Sequence, residues 1–324
     1  MASGKILRQL FKAGTAGDKD AFRLASESII EEERLKQHHL LANDLEKILY
    51  SSNSEKVGKI TRLTPTAPSD KERGLPLLDV KHPQRSLDEL ILPRDGLDAV
   101  EELLGEHRRA DILRSYGMRP SNRVLFFGPP GCGKTLTAEV IASELDLPLA
   151  IVRLDALVSS FLGETAANLR KVFDFISEYP MVALFDEFDA LGKERADSGE
   201  HGELRRVVNA VLQMMDAYQG KSLIIAATNH EQILDSAIWR RFEDVIEFSK
   251  PNKQTIISLL SSKLRGVRRQ FEINDLEIVA LFDGLSGADI ERVVRRATKR
   301  MILKGQEFLA LNDLKNSLSK EIRR

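Results

Sequence analysis

Val124-Leu125-Phe126-Phe127-Gly128-Pro129-Pro130-Gly131-Cys132-Gly133-Lys134-Thr135 decides the fold. Four apolar residues, enough for a short buried strand, run into a glycine-rich turn. The turn opens into Leu136, Val140 and Ile141, spaced as on a helix. Residues 128–135 fit G-x-x-x-x-G-K-[ST] in full. In this order of strand, loop and helix, Gly128, Gly131 and Gly133 let backbone N–H groups turn inward, with Pro129, Pro130 and Cys132 between them. The helix N-terminus adds a favourable dipole, so the loop is a cradle for phosphate. Lys134 is expected to reach the β- and γ-phosphates of a nucleotide, and the Thr135 hydroxyl to ligate Mg²⁺. Leu136 borders the same pocket.

Further apolar runs lie outward from this stretch. Leu149–Val152, Val182–Phe185, Leu223–Ala227 and Val245–Phe248 read, with Val124–Phe127, as buried strands. Their unbroken apolar character fits a parallel sheet covered on both faces. Helix-period segments alternate with them, which predicts a three-layer α/β domain with a parallel five-stranded sheet over residues 85–250. After Lys250-Pro251 the strand signals stop. The stripe Ile290, Val293, Val294, Ala297 and Met301 predicts an all-α domain over 251–324.

Residues 1–50 read as a small helical bundle, with apolar faces at Ile6, Leu7, Leu10 and Phe11, at Phe22, Ala25 and Ile29, and at Leu41, Leu45, Ile48 and Leu49. A core this thin leaves two readings: an adaptor leaning on a partner, or a helical extension of the main domain. Residues 51–84, rich in Ser, Thr and Lys and carrying Pro65, Pro68 and Pro76, read as a linker.

Composition narrows the partners. With 48 basic and 49 acidic side chains the formal net charge is -1, so no overall basic excess draws the chain to nucleic acid or anionic lipid. No apolar run approaches a membrane span. Cys132 is the lone cysteine, which excludes an intrachain disulfide. The first twelve residues lack the pattern of a signal peptide, so a reducing, cytoplasmic setting is expected. A helix N-terminus can activate a thiol, but the simpler reading of Cys132 is a small spacer in the loop.

Val182-Ala183-Leu184-Phe185-Asp186-Glu187 is an apolar strand that ends in two acids. Such a pair is costly unless something uses it, and ligands of α/β sheets sit at strand carboxyl ends. Asp186 is expected to hold Mg²⁺, through water, and Glu187 to polarise an attacking water.

With these motifs the sequence resembles the AAA+ ATPases, and within them the AAA family proper, from about Leu87 to the C-terminus. The resemblance implies ATP as the nucleotide. Ala226-Ala227-Thr228-Asn229 is similar to the family's first sensor motif, which implies that Asn229 positions the lytic water. Leu234-Asp235-Ser236-Ala237-Ile238-Trp239-Arg240-Arg241-Phe242 resembles its second region of homology. That implies that Arg240 and Arg241 act in the nucleotide site of a neighbouring subunit. Ser160-Phe161-Leu162-Gly163-Glu164 resembles the first pore loop, with Phe161, Leu162 and Gly163 facing a central channel; a core phenylalanine closing an ordinary loop is the other reading of Phe161. Ser286-Gly287-Ala288-Asp289-Ile290 resembles the Gly-Ala-Asp segment beside the adenine, which brings Gly287 and Ala288 to the nucleotide. One stretch departs from the family pattern. Leu87-Asp88-Glu89-Leu90-Ile91-Leu92-Pro93 keeps an acidic pair but lacks the expected glycine, which leaves the outer wall of the adenine pocket open to question.

The resemblance implies a homo-oligomer, expected to be a hexameric ring, that hydrolyses ATP to remodel, unfold or disassemble protein clients through its pore loops. An alternative expectation is an ATP-gated subunit that regulates a partner effector such as a protease, as in a bacterial defence system. A nucleic-acid motor is disfavoured by the near-neutral charge.

Overall fold

The computed structural model describes residues 8, 12, 19–35, 66–70, 74–157, 162–188, 210–230, 232 and 236–322. The chain divides into two units, Met1–Pro65 and Thr66–Arg324. In the first, helix α1 (Lys19–Leu35) buries Ala25 and Ile30 and exposes Phe22 and Leu24. Most of the other helical expectations of the bundle lie outside the described residues.

The second unit carries a sheet of β1 (Leu78–Lys81), β2 (Arg123–Phe127), β3 (Leu149–Val152), β4 (Val182–Phe185), β5 (Leu223–Thr228) and β6 (Asp244–Glu247). Its order is β1-β3-β4-β5-β2-β6. The five strands read from sequence are present and pair in parallel with one another. The expectation of five strands needs one correction, since the sheet has six and its edge is antiparallel. β1 pairs with β3 from Leu78↔Val152 to Lys81↔Leu149. It comes from within the expected linker 51–84, and the compact unit begins at Thr66. Leu77 and Leu78 are fully buried while Asp79 and Lys81 are exposed. An edge strand of this kind needs an apolar anchor only at one end, so it leaves no continuous apolar run to read.

Side chains alternate across the sheet as the pleat requires. Leu125, Ala183, Phe185, Ile224 and Ala226 point into one core, which is closed by α6 (Leu162–Glu178) and the helical residues 210–217. Val124, Phe126, Val182, Leu184, Leu223 and Ile225 point into the other, closed by α2 (Arg94–Arg108) and α4 (Lys134–Glu144). The short helices α3 (Ala110–Ser115), α5 (Leu154–Leu157) and α7 (Ser236–Trp239) complete the α/β part. Each fully buried phenylalanine, such as Phe126 or Phe185, contributes about 1.5–3 kcal/mol of burial.

Four helices follow: α8 (Lys253–Lys263), α9 (Leu276–Leu281), α10 (Gly287–Leu303) and α11 (Leu311–Ile322). They share a third core in which the whole predicted stripe, Ile290, Val293, Val294, Ala297 and Met301, is buried. Asn252 caps α8 by accepting the Thr255 amide at 2.9 Å, and Asp275 caps α9 by accepting that of Glu277 at 3.0 Å. Ile91, just before α2, packs against this third core and ties it to the α/β part. Among the described residues no helix is long and apolar enough to cross a membrane.

Candidate nucleotide site

The loop between β2 and α4 turns only because of its glycines. Gly128 has φ +133°, and a Cβ there would lie 2.2 Å from the Phe248 carbonyl oxygen. Gly131 has φ +75°, and its Cβ would lie 2.7 Å from Ser286 Oγ. No side chain fits either position. Lys134 opens α4 and is only 6% exposed. Its ammonium donates to the Gly128 and Pro129 carbonyl oxygens at 2.6 and 3.0 Å, so the buried charge is solvated by the loop itself.

Across the cleft, β4 delivers the acids. Thr135 Oγ1 donates to Asp186 Oδ2 at 2.8 Å, which joins the phosphate loop to the end of β4. Asp186 Oδ1 accepts the Glu187 amide at 2.9 Å. Glu187 holds φ +52°, in the left-handed region, at a cost of about 1–3 kcal/mol for a non-glycine residue. Strain of this kind persists only where surrounding structure enforces it. Here Phe188, the next residue, is 1% exposed and its amide donates to the Ala227 carbonyl at 2.8 Å.

Pro130 to Leu136, Asp186, Glu187, Asn229, Gly287 and Ala288 line one cavity of about 630 Å³. Residues from four distant segments of the sequence thus meet at one cavity. Gly128 and Pro129 are not in its lining; their carbonyl oxygens accept from Lys134, which is. Arg240 and Arg241 do not line it either. Arg240 is exposed, and Arg241 Nε donates to Asp216 Oδ2 at 2.9 Å. Trp239 packs edge-on against Phe127, with ring centroids 5.2 Å apart. Phe161 lies outside the described residues, and Leu162 and Gly163 open α6.

The helical part reaches the phosphate loop directly. The Ala288 amide donates to the Gly131 carbonyl at 3.0 Å. Ser286 caps α10 in a reciprocal box with Asp289: the Asp289 amide donates to Ser286 Oγ at 3.2 Å, and the Ser286 amide and hydroxyl donate to Asp289 Oδ2 at 3.1 and 2.6 Å. Burial pushes the Asp289 carboxyl up, but these hydrogen bonds and the Arg292 charge outweigh it and hold it below its ordinary value. Cys132 is buried, and that burial raises its thiol above the usual range despite the nearby Lys134 charge. A thiol so disfavoured as the thiolate is consistent with a small spacer in the loop.

Sequence reasoning missed part of the wall. Leu90, Ile91, Leu92 and Leu259 supply its apolar surface, and Arg85, Glu89, Ser262, Lys263 and Glu291 its polar surface. Leu90–Leu92 stands where the glycine of the resembled pattern is absent. Leu92 Cδ2 comes within 3.5 Å of the place a Gly133 Cβ would occupy, so the wall is built of leucine there. Lys263 and Glu291 carry no local signal, because they reach the cavity only once the four terminal helices pack.

A family model described as ATPase family associated with various cellular activities (AAA) matches residues 124–250. An AAA family ATPase of Sinorhizobium fredii is 41% identical over 324 residues, covering 100% of this chain and 97% of that protein. The 26S proteasome regulatory subunit 10B homolog A of Arabidopsis thaliana is 32% identical over 217 residues, 65% of this chain and 54% of that subunit. A probable 26S proteasome regulatory subunit 10B of Caenorhabditis elegans is also 32% identical over 217 residues, 65% of this chain and 53% of its own length. The chain thus spans about half the length of these two subunits. It belongs to the AAA family of ATPases.

Proposed function

We propose that the chain binds Mg-ATP in this cavity and hydrolyses it as one subunit of a homo-oligomeric ring, a hexamer, that remodels protein clients in the cytoplasm. The observation that carries the catalytic part is the convergence of Lys134, Thr135, Asp186, Glu187 and Asn229 on one cavity. The Thr135 hydroxyl and Asp186 carboxylate, 2.8 Å apart, are hard oxygen donors of the kind Mg²⁺ takes. When bound, the ion neutralises charge on the phosphate oxygens. Lys134 presents a desolvated positive charge to the same oxygens. Glu187 polarises the attacking water and accepts its proton, and the Asn229 amide orients that water. Backbone N–H groups of the loop hold the phosphates in place before reaction, so little reorganisation remains to be done.

Arg240 and Arg241 stand outside their own cavity, which supports a role in the site of the next subunit. A guanidinium supplied there meets the charge that develops on the transferred phosphoryl group. Phe161, with Leu162 and Gly163, is assigned to gripping the client, and residues 1–50 to recruiting it. Relatives named as proteasome regulatory subunits, and a net charge of -1, favour protein over nucleic acid as the partner.

The test is Glu187→Gln. ATP affinity is expected to persist while steady-state hydrolysis falls about 10²–10⁴-fold. Unchanged turnover, or lost ATP binding, overturns the assignment of Glu187. Wild-type protein that neither binds nor hydrolyses ATP overturns the proposed activity.

A further inference from the structure

Arg240 and Arg241 stand between two aromatic residues, Trp239 at the end of α7 and Phe242. Both flanking rings are anchored. Trp239 meets Phe127 edge-on with ring centroids 5.2 Å apart, and Phe242 meets Phe188 edge-on at 6.3 Å. Phe127 immediately precedes Gly128 of the phosphate loop, and Phe188 immediately follows Glu187. The short bridge that carries the arginines is thus pinned at each end on a residue adjoining the chain's own nucleotide cavity.

The backbone between the pins is fixed as well. The Arg241 amide donates to the Ile238 carbonyl at 3.1 Å, the Phe242 amide to that of Trp239 at 3.3 Å, and the Glu243 amide to that of Arg123 at 2.8 Å. Ile238 and Phe242 are buried and share the first core with Phe188. Arg241 is half-buried, whereas Arg240 is exposed. Anchoring of this kind matters for arginines that must meet a target. A long cationic side chain loses rotamer freedom when it docks, and a firm backbone beneath it lowers the remaining cost.

We infer that Trp239 and Phe242 are positioning residues that hold Arg240 and Arg241 in place for the next subunit's nucleotide site. The inference rests on the proposed role of the two arginines in trans. Neither ring lines the chain's own cavity. Both act through the backbone of residues 240 and 241, so their loss is felt in a neighbour's turnover and not in the chain's own hold on nucleotide.

The experiment compares binding of an ATP analogue and steady-state hydrolysis by the full chain for wild type, Trp239→Leu and Phe242→Leu. Each variant is expected to keep wild-type affinity and KM and to lose about 10- to 100-fold in kcat, the scale of a small misplacement of a catalytic group. Trp239 is only half-buried, so Trp239→Leu decides the matter if Phe242→Leu fails to fold. Trp239→Phe, which keeps an aromatic edge towards Phe127, is expected to lose less than Trp239→Leu. Mixing either leucine variant with Glu187→Gln separates neighbour from self. The Glu187→Gln subunit carries well-placed arginines and the leucine variant an intact glutamate, so turnover is expected to rise. Arg240→Ala mixed with Glu187→Gln is the reference for rescue in trans. Wild-type kcat in the leucine variants, weakened binding of the analogue, or equal losses in Trp239→Phe and Trp239→Leu overturns the positioning role. So does a loss that mixing leaves unrelieved while the Arg240→Ala mixture recovers, because the rings then serve their own site. An Arg240→Ala mixture that recovers nothing instead removes the role in trans and the inference with it.

Discussion

A methyl group at Gly128 has no space to occupy. The neighbour it would strike, the Phe248 carbonyl oxygen at 2.2 Å, is backbone following β6 and cannot swing aside as a side-chain tip would. The residue's φ of +133° adds strain for any L side chain. Gly128→Ala is therefore expected to destabilise the chain by about 1–3 kcal/mol and to displace the carbonyl that holds Lys134. The checks are a lower urea midpoint and weaker binding of an ATP analogue; a variant with wild-type values for both excludes this account. Sequence showed the glycine requirement of the loop, because the motif is local. It did not show that Phe248 is the obstacle. For Cys132 it left two readings, and the burial that raises the thiol supports the spacer. The left-handed backbone of Glu187 was also invisible in sequence, since the conformation depends on how Phe188 is anchored to β5.

At the scale of elements, the N-terminus of α10 is the joint between the helical part and the phosphate loop. Ser286 and Asp289 fix its first turn, and Ala288 bonds to Gly131. Because the Asp289 carboxyl is held below its ordinary value of 3.8, its ionised form stabilises the folded chain. The sign follows from that depression: the contribution is present above pH 3.8 and is lost as pH falls through the lower folded value. Asp289→Asn is expected to lower stability by about 0.5–2 kcal/mol at pH 7, the usual worth of such a cap, with the gap to wild type closing in strong acid. Urea melts at pH 7 and below pH 3.8 measure it, and a gap that does not shrink with acid refutes the assignment. Strands β2 to β5 were legible because parallel strands buried along most of their length are mostly apolar, while β6, with only Ile246 buried, was read from the run Val245–Phe248. β1 was not, because it is short, sits at an edge and alternates buried with exposed residues.

At the scale of the whole molecule, the proposed ring makes one further claim. If Arg240 and Arg241 complete a neighbour's site, Arg240→Ala and Arg241→Ala should each keep ATP affinity and lower turnover by about 10³–10⁵-fold at most, the span of supplied arginines. Mixing either variant with Glu187→Gln then restores some activity, because each mixed interface can pair an intact arginine with an intact glutamate. Wild-type turnover in both arginine variants rejects the role in trans. Arg241 also bonds to Asp216, so Asp216→Asn serves as the control for a merely structural effect. Phe161→Ala separates the two protein-directed readings: a threading machine loses work on its client and keeps basal hydrolysis, whereas an ATP-gated switch keeps both.

The sequence by itself determined the phosphate loop, the acidic pair after β4, the five apolar strands and the stripe of α10. Each is written within a few consecutive residues or one helical period, so local chemistry suffices to read it. Only the tertiary structure decided the sixth strand, the leucine wall at residues 90–92, the docking of α10 on Gly131 and the charged rim of Arg85, Glu89, Lys263 and Glu291. These features join segments far apart in the chain. Their partners are chosen by the packing of three cores, and no local pattern records that choice.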